Sequence, residues 1–148
     1  YQAKGDQTLT TTLTTALTVG SNATTAQRNE IYEFLLGVAL TPSDSTISFN
    51  VQRVSALGTA TAVTPGALDA GDRAAQAAVG KNPTVAPTIV ASAFILEAMP
   101  LNARATFRWV APPGGAFRHA ATVGAGFAFG ALHASRTEDI NVQAFWEE

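Results

Sequence analysis

Apolar side chains return at every second position in segment after segment of this chain, and only an extended strand sends successive residues to opposite faces. Ile47, Phe49 and Val51 alternate with Ser48, Asn50 and Gln52. Ala105, Phe107 and Trp109 alternate with Arg104, Thr106 and Arg108, and Ile140, Val142, Ala144 and Trp146 share one face of 138–148. Further strands are predicted over 88–98, over 117–121, and over the glycine-rich 123–131, where Phe127 and Phe129 fall on the same side. Turn chemistry separates these runs at Thr41-Pro42-Ser43-Asp44, Pro65-Gly66 and Pro112-Pro113-Gly114-Gly115, where proline presets φ and Ser/Asp side chains bond local backbone. Roughly seven or eight such strands predict an all-β fold, an antiparallel β-sandwich or jelly-roll-like barrel. The length of 148 residues matches a single β domain over 1–148.

Three stretches read less simply. Gln7 to Val19 places Leu9, Leu13, Leu17 and Val19 at odd positions, one face of a strand. The spacing of four among the leucines also suits a helix stripe, but seven threonines between Thr8 and Thr18 oppose it, because β-branching restricts χ1 and lowers helix propensity. Residues 1–19 are read as an edge strand or an extended N-terminal arm. Gln27 to Leu40 is almost continuously apolar through Ile31, Tyr32, Phe34, Leu35, Leu36, Val38 and Leu40. That pattern reads as a strand covered on both faces, or one whose outer face meets another subunit, with a short helix as the competing reading. From 55 to 83 Ala, Gly, Thr and Asp dominate, which predicts one long loop excursion that contacts a neighbour. Within it, Asp69 or Asp72 is placed to cap a short helix through Arg73, Ala74, Ala75 and Ala78, ended by Gly80.

Composition enters through what it excludes. Only 14% of residues are charged and 47% are apolar, against about 25% charged in ordinary globular proteins. A net charge of −2 offers little mutual repulsion, so a free monomer with such a surface is prone to associate. Cover by other subunits is the simplest resolution. Nucleic acid is not expected as a partner: phosphate binding needs clustered cations, and here Lys4 and Lys81 are the only lysines and the seven arginines are scattered. No run reaches the about 20 apolar residues of a membrane span, and the longest candidate, Val85 to Leu96, is broken by Pro87, Thr88 and Ser92. The opening residues lack the basic and apolar regions of a secretory signal, so none is expected. Without cysteine, neither a disulfide nor a thiolate metal site is available.

Candidate chemistry is thin. His119 and His133 are the only histidines, and a zinc site would need carboxylates such as Glu138 or Asp139 to complete it; no metal is assigned. No G-x-S-x-G surrounds any serine, so a nucleophile elbow is not expected. Asp44, Glu33 and Glu97 would have to meet in space to act as a glycosidase pair, and solvated turn or strand-edge residues are the preferred reading. Gly124-Ala125-Gly126-Phe127-Ala128-Phe129-Gly130 puts phenylalanine where the dinucleotide fingerprint needs its third glycine. It fits a strand lying close to another backbone instead. Alternation sends Trp109 away from Arg104 and Arg108, which predicts a core tryptophan rather than a stacked cation–aromatic patch. Asn22-Ala23-Thr24 has the form of a glycosylation sequon, relevant only on a secretory route. No catalytic residue and no cofactor are assigned.

Several segments resemble small virion proteins of tailed bacteriophages: Glu30 to Gly37, Val51-Gln52-Arg53, Gly58 to Asp69, and Pro100 to Pro112. The resemblance spans about Glu30 to Pro113 and implies a capsid decoration (cement) protein: a β-sandwich protomer, usually trimeric, seated on the outer shell over junctions between major capsid subunits. The threonine-rich N-terminus departs from it. Such proteins bring no catalytic residues to carry over. On this reading the partners are further copies of the chain and the major capsid protein, the location is the virion surface after synthesis in the host cytoplasm, and the subunit-interface candidates are Leu9, Leu13, Leu17, Tyr32, Phe34 and Leu36. A single jelly-roll coat subunit and a carbohydrate- or receptor-binding module are the alternatives.

Overall fold

A computed structural model describes residues 1–39, 41–133 and 137–148, with the backbone alone over 91–98. Leu40 and the side chain of Glu97 lie outside the described residues. Every helix-or-strand element among the described residues is a strand: β1 (Gln2–Thr8), β2 (Thr14–Gly20), β3 (Glu30–Val38), β4 (Thr46–Ala56), β5 (Thr59–Ala62), β6 (Ala78–Val85), β7 (Thr88–Asn102), β8 (Phe107–Val110), β9 (Phe117–Arg118), β10 (Gly126–Leu132) and β11 (Asp139–Glu147). All pairings are antiparallel. They build two sheets, one ordered β1-β11-β3-β8 with β9 also beside β3, the other β5-β6-β2-β10-β4-β7. The chain is therefore an all-β antiparallel sandwich.

The alternation read from the sequence sorts each strand's residues between core and exterior. On the inward face of the first sheet, cross-strand rows run Ala3–Ala144–Phe34–Trp109 and Gly5–Val142–Leu36–Phe107. The second sheet answers with Leu17, Val19, Ile47, Phe49, Val51, Phe127 and Phe129, all buried. Phe34 is the hub. Its ring lies 5.2 Å from Trp109, 5.6 Å from Phe129, 6.2 Å from Phe107 and 6.3 Å from Phe117, and Trp109 stacks on Phe117 at 4.1 Å. Side chains of this size contribute about 1.5–3 kcal/mol each when fully buried, so this aromatic cluster anchors β3, β8, β9 and β10 together.

The far face of the second sheet is covered as well. Thr18, Asn50, Gln52 and Ala128 point away from the first sheet, yet all are buried. The Leu57 side chain lies on that face: a Cβ at Gly126 would meet Leu57 Cδ2 at 2.8 Å, and one at Gly20 would meet it at 2.9 Å. Farther along, a Cβ at Gly80 would meet Ala60 Cβ at 2.7 Å. The sheet curls so that the β4–β5 turn and β5 fold back over its own glycines. The glycine-rich run of β10 thus takes the close-approach role expected of it, and the dinucleotide alternative has no place in the middle of a sheet.

Three expectations need correction. Residues 1–19 form no free arm: β1 is an edge strand of the first sheet, paired with β11 along its whole length from Gln2 to Thr8, and β2 lies inside the second sheet between β6 and β10. The strand read over Gln7 to Val19 breaks because threonine hydroxyls bond local backbone, Thr10 Oγ1 to Thr12 O at 3.1 Å and Thr14 Oγ1 to Thr12 O at 3.1 Å. The 55–83 excursion is not one loop: β5 and the start of β6 fall within it and help to close the curled sheet, leaving 63–77 as the connection between them. No helix follows Asp69. Its carboxylate accepts from Gly71 N to close a tight turn, while Gln76 N and Ala77 N donate to the Glu148 carboxylate and Gln76 O accepts from Asn22 Nδ2. Backbone groups that a helix would bond internally are taken by distant side chains.

Deletion of residues 1–19 is consequently expected to abolish cooperative folding, since it removes an edge strand of one sheet and an interior strand of the other. Near-UV circular dichroism with a thermal scan checks this. A truncated chain that keeps a sharp transition near the wild-type midpoint would contradict it.

Candidate functional site

Both histidines are buried, and β10 separates them. His119 packs edge-on against Phe127 near the start of that strand, with ring centroids 5.4 Å apart, and His133 follows its last residue. At about 3.3 Å per residue the two are roughly 20 Å apart and cannot share a metal ion. No three His, Asp or Glu side chains come together among the described residues.

Around His133, two connections converge. Ser43 and Ser45 come just before β4, and Glu138 just before β11. His133 Nε2 lies 2.9 Å from Ser45 Oγ, Ser45 Oγ bonds Ser43 Oγ, and Ser43 Oγ bonds Glu138 Oε1, which also accepts from Ser43 N at 3.0 Å. An ionised carboxylate only accepts, which sets the polarity of the last bond. Ser43 donates to Glu138, and the array continues through Ser45 Oγ to the ring of His133. It ties two connections together. Sequence reasoning did not foresee this convergence, because the serines and Glu138 are some 90 residues apart, as the separation of 95 between Ser43 and Glu138 illustrates.

Around His119 a backbone N–H sets the polarity. Its Nε2 accepts from Asn29 N at 3.2 Å, so the ring proton sits on Nδ1 and is donated to Ala120 O at 2.8 Å. Burial pushes the imidazole below its ordinary value; the bond to Ala120 opposes that, and the charges of Arg28 and Arg53 add to it. The ring also forms one wall of a cleft of about 210 Å3, with Arg53, Val54, Val90, Thr122 and Ala125.

The remaining candidates have ordinary partners. Glu33 pairs with Arg108 at 2.7 Å, and Asp44 accepts from Asn102 Nδ2 at 2.6 Å, so the two carboxylates serve different elements. Trp109 stacks in the core while Arg108 faces out, as alternation requires. Asn22 Oδ1 accepts from Thr24 N and Thr25 N, folding the sequon into a local turn.

Of the six subunit-interface candidates, four need correction. Leu9, Leu17, Phe34 and Leu36 retain at most 1% exposure within the single chain. The layer that covers them is the protomer's own opposing sheet, and no second subunit can reach them. Leu13 and Tyr32 are only half-buried. Tyr32 owes this to a register shift between β3 and β11 at Phe145/Trp146, which leaves its ring beside Phe145 at 6.4 Å. Together they stand on the outer face of the first sheet, whose next rows are Gln2–Phe145–Glu33–Val110 and Lys4–Gln143–Leu35–Arg108.

A more apolar surface lies elsewhere. Val85, Ile89, Val90 and Val123 are 57%, 43%, 42% and 51% exposed, on three segments that touch one another. Ala56 pairs with Thr88, Ser55 Oγ bonds Thr88 O at 3.4 Å, a Cβ at Gly58 would meet Val85 O, and one at Gly124 would lie 3.6 Å from Ser55 O. Aliphatic residues flanking Pro87 and Gly124 are the sequence signal that could have marked it.

No family model, curated protein or solved structure matches the chain. What the geometry offers is therefore surface. The exposed aliphatic end is a place where another polypeptide would gain by covering Val85, Ile89, Val90 and Val123.

Proposed function

We propose that the protein is a structural virion subunit, a capsid decoration (cement) protein that binds the outer face of the major capsid shell as a homotrimer. One observation carries the reading: four exposed aliphatic side chains, Val85 at the end of β6, Ile89 and Val90 at the start of β7, and Val123 in the turn before β10, lie on adjoining segments of a chain that is only 14% charged. The resemblance of Glu30–Gly37 and Pro100–Pro112 to phage virion proteins points the same way, and the run of strands separated by Gly/Pro turns favours the jelly-roll version of the sandwich. The protein needs no cofactor and catalyses nothing; it acts by many weak identical contacts on a lattice, which sum to strong attachment.

Mixing purified protein with expanded, undecorated capsids tests this. Saturable binding at three-fold or quasi-three-fold positions is expected, with a free species of about 45 kDa, three times the 15.3 kDa chain. Failure to bind any shell removes the reading. A carbohydrate- or receptor-binding module is the second reading, favoured by the half-buried Tyr32–Phe145 pair flanked by Gln143, Glu33 and Arg108 on an open sheet face. Glycan-array binding abolished by Tyr32→Ala would select it.

A further inference from the structure

His119 stands directly beneath the exposed aliphatic end. Its ring and Val90 line one cleft, and its Nε2 holds the backbone N–H of Asn29, the last residue before β3. The 21–29 connection depends on that point. Ser21 Oγ and Gln27 bond each other in both directions, Gln27 Nε2 donates to Asn29 Oδ1, and Asn29 N donates to His119. Asn29 is wholly buried and its Nδ2 has no partner among the described residues, so the N–H held by His119 has no substitute bond within its own side chain.

We propose that His119 is an acid-sensitive strut: a second ring proton would set two donors, Nε2–H and Asn29 N–H, against each other and release the 21–29 connection from the aliphatic end. Nothing facing the ring would compensate the charge. The charged groups packed around it among the described residues are Arg28 before β3, Arg53 on β4 and Arg118 on β9; the nearby carboxylate, Glu30, is engaged by Arg118. The depressed affinity of the ring for a proton agrees with this geometry. Its consequence for attachment, loosening of the docking end in acid, rests on the reading proposed above; the strut does not.

The sign follows from linkage. The unfolded chain takes up the proton near pH 6.5 and the folded chain at lower pH, so stability is full above about 6.5 and falls as pH drops toward the folded value. Asp6, held down by Lys81, and Glu30, held down by Arg118, lose stability as well, but only in the carboxylate range near pH 4 and below. Denaturant unfolding between pH 7.5 and 5 reads the window between. The unfolding constant of the wild type is expected to rise by up to about tenfold per pH unit below pH 6.5. His119→Gln, which keeps an acceptor for Asn29 N but cannot be protonated, is expected to flatten that rise. An unchanged slope in His119→Gln overturns the strut. Should that variant not fold, NMR titration of the wild-type His119 ring decides: an ordinary midpoint near 6.5 with unshifted Asn29 resonances overturns it equally. Protein that keeps the slope yet binds no shell at neutral pH upholds the strut and contradicts the docking reading.

Discussion

Phe34→Ala is expected to unfold the isolated protomer or bring it close to unfolding. The ring is wholly buried and touches Phe107, Trp109, Phe117 and Phe129. Emptying that volume costs about 3–5 kcal/mol, a large part of the about 5–15 kcal/mol that separates a folded domain from its unfolded chain. The aromatic cluster cannot collapse to fill the gap, because its rings are carried by strands from both sheets whose spacing is set by backbone hydrogen bonds. A residue in a subunit interface would behave differently, leaving a folded single copy and a concentration-dependent loss of assembly. Denaturant unfolding followed by circular dichroism at two protein concentrations separates the outcomes. A midpoint lowered at both concentrations is expected; an unchanged midpoint with altered assembly would return Phe34 to the interface.

Gly126→Ala should be comparably severe despite adding one methyl group. That methyl would lie 2.4 Å from Val19 O and 2.7 Å from Gly20 Cα, both backbone, and 2.8 Å from Leu57 Cδ2. Only the leucine can swing aside; relieving the other two contacts requires moving β2 against β10 in the middle of the sheet. Overpacking of this kind costs about 1–3 kcal/mol and sometimes more, and backbone obstruction places it at the upper end. Gly66→Ala is the matched control: its methyl would come no nearer than 3.7 Å, to the flexible Gln2 side chain, so a change within about 0.5 kcal/mol is expected there. Equal midpoints for the two variants in urea would show that the curled sheet does not press Leu57 onto its own glycines.

These two positions also show what the sequence does and does not carry. Strand periodicity is local, so the faces of β4, β10 and β11 were legible: Ile140, Val142, Ala144 and Trp146 are all buried. Which layer covers a face is a long-range property. Phe34 and Leu36 looked in need of another subunit because nothing near them in sequence could supply the opposing sheet, whereas Phe129 does so from far along the chain. The supposed arm fails for the same reason, as the partner of Gln2–Thr8 is β11 at the opposite end of the sequence. The helix after Asp69 was a fair reading of propensity, overridden when Glu148 captured the amides of Gln76 and Ala77. Of the candidate surface, Tyr32 was legible and the aliphatic end was not, since the nearness of Val85, at the end of β6, and of Ile89 and Val90, at the start of β7, to the turn at Val123 is a long-range property.

The most direct test of surface presentation compares wild type with a Val90→Asp, Val123→Asp double variant for binding to expanded, undecorated capsids. Both side chains are half exposed, so the variant should keep the wild-type unfolding midpoint within about 0.5 kcal/mol per site. Saturable binding by the wild type, lost in the folded variant, is the expected result. Equal occupancy by both proteins, or none by either, would contradict it.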